Sequence, residues 1–450
     1  MKTKRINYIL LISDIFAILA AYFSAIFLRI GNPVNITLDN KFIISFIFLC
    51  IIVLISNYIF GLYDSVIVAF NFDSLILYSF SFIFIIIAGI IIFYIKPFVI
   101  GRGIFLYFLI CLSILSTAFR FLIFKFAYSI LTRQNILFLG TEKEYEELSK
   151  ILSRYDEYDL VHVTEIKALN ANGYILNKSN TDELLKEKIE KADIIVIGDY
   201  RVNKELAREL IEKRLNGKKI FDYSTFYETL AKKLPIKLLE DEWLLICPGF
   251  EKVGDGFYSK VKRIVDVAVS TILLIISSPL FLIIPIIIKI SSRGPIFYVQ
   301  ERCGLDEKRF KLMKFRTMVD NAEENGPQWA SENDPRVTRV GKILRKLRLD
   351  ELPQLINVLK GDMSLIGPRP ERDYFIRELK SKIPYYSLRF YVKPGITGWA
   401  QINYRYGASI EDAIEKLAYD LYYIKKMSLL LDISIILKTI RVVLLGHGAR

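Results

Sequence analysis

Histidine is almost absent. The 450 residues hold two, His162 and His447, far apart in the chain. That leaves no basis for a His-rich metal centre or a Ser-His-Asp relay, and any chemistry falls to carboxylates, Arg and Lys. Cysteine is scarce too. Cys50, Cys111, Cys247 and Cys303 are scattered without a CxxC pair, and two of them sit in apolar runs, so neither a disulfide framework nor a zinc site is expected. Glycines are missing where a dinucleotide site would need them. The buried-strand run "NILFLG" (Asn135–Gly140) leads into a turn with a single Gly, and Glu142 and Glu144 stand where a pyrophosphate would approach. No cofactor is expected there.

Apolar residues, by contrast, are abundant. The chain is 53% hydrophobic yet 24% charged, so the two classes must be segregated along it. The formal net charge of +13 suits an anionic partner: nucleic acid, a phosphorylated substrate or an anionic lipid surface. Four long apolar runs fill the first third, near Ile9–Ile30, Phe42–Ile59, Leu75–Ile95 and Ile104–Phe126. Each is about 18 residues or more, the length that spans a hydrocarbon core of roughly 30 Å. Residues 1–130 therefore read as four transmembrane helices. Lys2, Lys4 and Arg5 precede the first, and Lys125 and Arg133 close the fourth, which puts both ends in the cytoplasm. Asp14 lies inside the first run, near enough to its end to face the interface.

Residues 134–248 change texture. "NILFLG", "ADIIVIGDY" (Ala192–Tyr200) and "KKIFDY" (Lys218–Tyr223) read as strands, with an amphipathic helix over Lys204–Gly217. Alternating strand and helix implies an α/β, Rossmann-like cytosolic domain, structural or regulatory, and a place where two protomers could pair.

A fifth apolar run, Ile264–Ile290, is broken by Ser277, Ser278 and Pro279 and again by Pro285. Proline deletes a helix hydrogen bond, and serine hydroxyls can satisfy the freed carbonyls. Basic residues flank both ends: Lys260, Lys262 and Arg263 before, Lys289 and Arg293 after. That symmetry favours a helix over 262–290 that enters, turns at Ser278-Pro279 and returns to the same face, over one that crosses.

The stretch "LRKLRLDELPQLINVLKGDMSLIGPRPE" (Leu344–Glu371) carries the candidate chemistry. Leu352, Leu355, Ile356 and Leu359 share one helical face, and Gly361 is a stop signal. This places Asp350 at the helix N-cap, with Pro353 in the first turn. A helix N-terminus favours anions, and Arg345, Lys346 and Arg348 add charge. An ionised carboxylate beside a phosphate is a candidate nucleophile or Mg²⁺ ligand. Glu351, next on the helix, should point elsewhere. "KLMKFRTM" (Lys311–Met318) reads as a strand with Lys314 and Arg316 on one face and Phe315 on the other. Pro368 and Pro370 hold Arg369 in a stiff frame suited to phosphate. "KPGITGWAQIN" (Lys393–Asn403) reads as a Gly-rich turn exposing Trp399. Tyr419–Gly446 reads as one or two helices on a membrane surface, with Asp420 and Asp432 as further acids.

Together, "KRIVDVAVS…SSP", "FRTM", "DPRVTRVGKILR", "LDELPQLINVLKGDMSLIGPRPE", "YVKPGITGWAQIN" and "YDLYYI" resemble the bacterial sugar transferase family, the monotopic polyprenyl-phosphate glycosyl-1-phosphate transferases. The four-span start and the middle module are similar to its large three-part members, with residues 258–450 as a mixed α/β catalytic domain. The resemblance implies that Asp350 attacks the β-phosphate of a UDP-sugar and releases UMP. A phosphosugar-aspartate forms, and undecaprenyl phosphate then takes the phosphosugar, with Mg²⁺ neutralising phosphate charge. It makes Glu351 the second member of the acid pair, Arg369 a nucleotide or phosphate contact, and Ser278-Pro279 the re-entrant break. It also implies the bacterial inner membrane, a catalytic domain on the cytoplasmic face, and glucose or galactose as the sugar. Lys346-Leu347 departs from the smaller polar residues common in the family before the acid pair. Two other readings differ in class. A membrane-bound NAD-dependent nucleotide-sugar dehydratase needs a second glycine fingerprint, absent after Gly249. A non-catalytic scaffold of polysaccharide export would not need Asp350.

Overall fold

The computed structural model of the protein describes residues 2–31, 40–63, 72–95, 102–130, 134–153, 158–162, 178–198, 204–239, 241–320, 322, 334–404, 407 and 409–444. The flanking Arg133 and His447 lie outside them. The chain divides into two compact units. One is Met1–Ile136, Leu152–Val161 and Lys191–Asp193; the other is Leu137–Ile151, His162–Glu190 and Ile194–Arg450.

Each N-terminal apolar run is a helix: α1 Lys2–Ile30, α2 Asn40–Ile59, α3 Phe72–Ile95 and α4 Arg102–Ile130. Within them, Tyr8–Ile30 and Arg102–Ile123 are long and apolar enough to cross a bilayer, while the apolar stretches Ile43–Ile59 and Leu77–Ile91 are shorter. Helix α1 packs most extensively along α4. Ala17, Ala21 and Ala25 recur every four residues on its buried face, so the two backbones can approach closely. Ile104, Phe108 and Leu112 of α4 bury at the same spacing. Asp14 does not face an interface. It is buried, and its Oδ2 accepts from Arg120 NH2 (2.6 Å), Tyr63 OH (2.8 Å) and Asn57 Nδ2 (2.9 Å). In an apolar bundle a carboxylate is stable only when so paired.

The predicted strands of the middle region are present as β1 Gln134–Leu139, β3 Ile194–Ile197 and β4 Lys219–Asp222. A further strand, β2 Tyr158–His162, was not legible in the sequence. The sheet order is β2-β1-β3-β4, and β3 pairs with β4 in parallel. Glu144 folds back over the turn after β1. Its Oε2 accepts from Thr141 N (2.9 Å) and Thr141 Oγ1 (2.8 Å), and a Cβ on Gly140 or Gly198 would collide with it. Glu144 thus packs against both glycines at these strand ends.

A hydrophobic core of the second unit runs through Leu234, Trp243, Leu355, Phe375, Trp399 and Leu421. Trp399, expected on the surface, is buried, and its Nε1 donates to Lys232 O (2.9 Å). Its glycine-rich neighbourhood serves close packing instead. Strand β7 Ser364–Ile366 lies parallel to β8 Gly395–Thr397, and a Cβ at Gly395 would strike the backbone of Ile366 and Gly367.

The fifth apolar run forms one helix, Gly256–Ser291, with Pro279 and Pro285 inside it. Asp255 caps it, accepting from Phe257 N (2.9 Å) and Tyr258 N (3.3 Å). The expected break at Ser278-Pro279 is no interruption of the helix. Pro279 cannot bond Ile275 O, and Ser278 Oγ donates to that carbonyl instead (2.8 Å). Ser277 Oγ bonds its own i−4 carbonyl, Leu273 O (2.7 Å), which neither proline frees. Ile264, Ile275, Ile276, Leu282 and Ile290 are exposed, an apolar surface that suits lipid.

Both ends of this helix are tied to elements of the same core region. Near its start, Arg263 donates to Val358 O (2.5 Å) and Leu359 O (2.8 Å), the last carbonyls of helix Gln354–Lys360, and buried Asp266 accepts from Leu365 N (3.1 Å). Near its end, Ile284 and Ile288 form a buried cluster with Phe315 and Leu344. Just beyond it, Arg316 donates to Ser292 O (2.9 Å) and Arg293 O (2.7 Å).

Candidate active site

The acid pair sits on a short 3-10 turn, Leu349–Glu351, not at a helix N-cap. Arg348 adopts the left-handed conformation (φ 57°) and turns the chain there, so the α-helix begins later, at Gln354, with Pro353 before it. Gly361 ends that helix in the left-handed conformation (φ 94°), as its position predicts. The tight turn has a chemical result. Asp350 and Glu351 are both buried and both line one cleft of about 400 Å³, instead of diverging around a helix.

Asn357 places the opposite wall. Its side chain is 1% exposed. Oδ1 accepts from Met313 N (3.1 Å) and Nδ2 donates to Lys311 O (2.7 Å). This sutures helix Gln354–Lys360 to strand β6 Arg309–Phe315, which pairs antiparallel with β5 Phe297–Cys303. The faces of β6 divide as the sequence alternation predicts. Phe315 packs on Phe281 and Phe297, while Lys314 reaches Glu351 Oε1 (3.4 Å).

That one oxygen collects three cations: Arg369 NH2 at 2.8 Å, Lys314 Nζ at 3.4 Å and Arg348 NH1 at 3.5 Å. Burial works to raise the Glu351 carboxyl. The Arg369, Lys314 and Arg348 charges outweigh it and hold the group well below the usual carboxylate range. Asp350 goes the other way. Burial and the neighbouring Glu351 charge raise it, against Lys314, Arg345 and Arg348. Its Oδ1 is a buried acceptor without a hydrogen-bond partner among the described residues. Burial also lowers Lys314 and Arg345, the latter donating from Nε to Thr317 Oγ1 (2.9 Å). Among the described residues, the cleft wall holds ten Lys and Arg side chains against five Asp and Glu, a surface made for a polyanion.

Of the sequence-predicted residues, Asp350, Glu351, Lys314, Arg316, Arg345, Arg348, Arg369, Pro370 and Asp420 meet at this cleft. Pro368 does not line it; its carbonyl accepts from Gly395 N (2.9 Å). Asp432 is elsewhere too. It is buried and accepts from Lys262 Nζ (2.8 Å), Tyr258 OH (2.9 Å) and Tyr423 OH (2.8 Å), anchoring the foot of helix Gly256–Ser291. Ser278 and Pro279 also lie outside the cleft lining. The sequence reading missed Arg302 and Arg389, both on the cleft wall. Arg389 donates to Asp420 Oδ2 (2.9 Å), and burial pushes the Asp420 carboxyl up to about 6 against that partner.

Comparison with known proteins gives the cleft a context. Residues 257–446 match the family described as bacterial sugar transferase. The chain is 49% identical over 231 residues to the UDP-N-acetylgalactosamine-undecaprenyl-phosphate N-acetylgalactosaminephosphotransferase of Aeromonas hydrophila, covering 51% of this chain and 53% of that protein. It is 38% identical over 239 residues to the UDP-glucose:undecaprenyl-phosphate glucose-1-phosphate transferase of Escherichia coli K12, covering 53% and 50%. It is 41% identical over 192 residues to the uncharacterized sugar transferase EpsL of Bacillus subtilis, covering 42% of this chain and 89% of that protein. The matched part spans about half the length of the first two relatives.

Proposed function

Since the chain belongs to the bacterial sugar transferase family, we propose that it transfers a sugar-1-phosphate from a UDP-sugar to undecaprenyl phosphate and releases UMP. One observation carries this reading: a buried carboxylate with an unpartnered oxygen, Asp350 Oδ1, opens on a cation-lined cleft. The reactants are a diphosphate and a phosphate, and the cleft wall matches their charge.

The residues divide the work as follows. Asp350 attacks the β-phosphorus of the donor. The bond to the UMP oxygen breaks, and the phosphosugar is left on the Asp350 carboxylate. A phosphate oxygen of the lipid then attacks the same phosphorus and frees Asp350. A carboxyl raised by burial is the more basic once ionised, which suits a nucleophile, and the Lys314, Arg345 and Arg348 charges favour the ionised form. Glu351, kept anionic, holds Arg369, Lys314 and Arg348 at the site where phosphate charge shifts. Magnesium fits this site, since it takes one or two carboxylates together with substrate phosphates and Asp350 Oδ1 has no donor among the described residues. Asp350 would hold it, and when bound the ion neutralises diphosphate charge.

The same reading places the chain in the bacterial inner membrane, with the catalytic unit on the cytoplasmic face and helix Gly256–Ser291 re-entrant. A straight 36-residue helix would be about 54 Å long. Yet residues near its two ends reach helix Gln354–Lys360 and strand β6, the neighbours that Asn357 joins. A bend at Ser277-Ser278-Pro279, where Ser278 takes up the carbonyl that Pro279 frees, reconciles the two. A soluble donor and a lipid acceptor can then meet at one surface.

The relatives' names divide between glucose and N-acetylgalactosamine, so the expectation of glucose or galactose needs a wider panel. The test is UMP release by the full chain in nanodiscs with undecaprenyl phosphate, Mg²⁺ and a panel of UDP-sugars that includes UDP-N-acetylgalactosamine. Release with one donor, lost in Asp350→Asn, is the expected result. Release that survives Asp350→Asn would sink the covalent mechanism.

A further inference from the structure

The segment Pro368-Arg369-Pro370 poses a physical problem. Two of its three residues have no N–H, so it can donate at most one backbone hydrogen bond. Its carbonyls do most of the work, and all three of them, with that of Glu371 beyond, receive a donor. Pro368 O accepts from Gly395 N (2.9 Å), and Arg369 O from Arg389 NH2 (2.9 Å). Pro370 O accepts from Arg302 NH1 (3.2 Å), and Glu371 O from Cys303 N (3.2 Å). The middle two donors are guanidinium groups drawn from distant parts of the chain.

Arg389 has the tighter hold. It is 8% exposed. Its NH2 is shared between Arg369 O and Asp420 Oδ2 (2.9 Å), and its NH1 donates to Tyr386 OH (2.6 Å). Asp420, itself 2% exposed, fixes the guanidinium in that pose. A continuous path follows: Asp420, Arg389, the Arg369 carbonyl, the Arg369 guanidinium, Glu351. A charged hydrogen bond to a backbone oxygen fixes a position better than a neutral one, because it is shorter and stronger.

We infer that Arg389, steadied by Asp420, is a positioning residue for the transfer. It sets where the Arg369 guanidinium stands against Glu351, and Arg302 assists at the next carbonyl. The inference rests on the phosphotransfer reading above. The misplacement expected without Arg389 is on the scale at which rates fall about 10²-fold.

The experiment is a double-mutant cycle in the full chain in nanodiscs, with thermal midpoints recorded beside it. Arg389→Met should lower the rate of UMP release about 10²-fold in the native background. In an Arg369→Ala background the same change should cost no more than about twofold, because the group it positions is gone. Arg389→Lys, which keeps one charged donor, should recover at least part of the rate. If Arg389→Met does not fold, Asp420→Asn takes its place, and its loss must likewise vanish beside Arg369→Ala. Near-native rates in Arg389→Met, or equal losses in both backgrounds, would overturn the inference. A wild-type chain that binds UDP but releases no UMP refutes the reaction alone, and the cycle is then read on UDP affinity with the same criteria. A wild-type chain that does not bind UDP overturns both.

Discussion

Arg369 NH2 lies 2.8 Å from Oε1 of Glu351, the oxygen that Lys314 and Arg348 also approach. Glu351 is thereby held anionic while it raises its neighbour Asp350. The acid limb of the rate profile should therefore lie above the ordinary aspartate range of about 3.9. Glu351→Gln removes that neighbouring charge and leaves three cations facing Asp350. The limb should move to lower pH, while the rate on its plateau falls on the order of 10²-fold. Rates of UMP release between pH 4 and 8 decide this. A limb that stays in place would show that Glu351 does not tune Asp350.

Stability should carry the opposite sign for the two acids. The Glu351 carboxyl is depressed in the folded state, so its ion pairs contribute above the unfolded Glu range, and that contribution is lost as pH falls. In Glu351→Gln the thermal midpoint should vary less between pH 5 and pH 3 than in the native chain.

Asn357 should matter to stability more than its size suggests. Asn357→Leu deprives Met313 N and Lys311 O of their present partners and puts apolar atoms against them. Each such group costs about 1–3 kcal/mol. The variant should melt several degrees lower and lose UMP release with it, because the same suture places Lys314.

The Asp14–Arg120 pair offers a test inside the bundle. Arg120→Met strands a buried carboxylate, a change worth about 3–5 kcal/mol. Asp14→Asn added to it should restore much of the loss. Thermal unfolding in detergent would show it, and an unrecovered double variant would argue that Arg120 acts through its bond to Leu62 O instead.

Re-entry is open to a labelling test. Lys260 and Arg293 are exposed and flank the apolar run. Cysteines placed at each should react with a membrane-impermeant maleimide from the same side of sealed vesicles. Labelling from opposite sides would make Gly256–Ser291 a crossing helix.

What the sequence disclosed follows from how local each signal is. The apolar runs are helices, and the alternation in "KLMKFRTM" sorts Phe315 from Lys314, because period and length are written within a few residues. The Asp350-Glu351 pair stands out by composition. Its conformation does not, because a left-handed Arg348 replaced the expected N-cap with a 3-10 turn. Asp14 was misread because its partner is 106 residues away, and Trp399 because its acceptor, Lys232 O, is 167 residues away. Arg302 and Arg389 are equally remote from any local pattern. One hint was present: a segment with two prolines must be gripped by its carbonyls, and that calls for strong donors from elsewhere.

The anchorage of Asp266 also sets a clock. Its partner, Leu365 N, lies 99 residues further along the chain. At a synthesis rate of about 5–20 residues per second, roughly 5–20 s pass between the two leaving the ribosome. Through most of that interval an acid destined for burial lacks its native donor, while the apolar run it belongs to is already complete. On the re-entrant reading proposed above, any early lodging of this helix in the bilayer has to be reversible enough for its foot to be seized late, by a part of the protein that did not exist when it first met lipid.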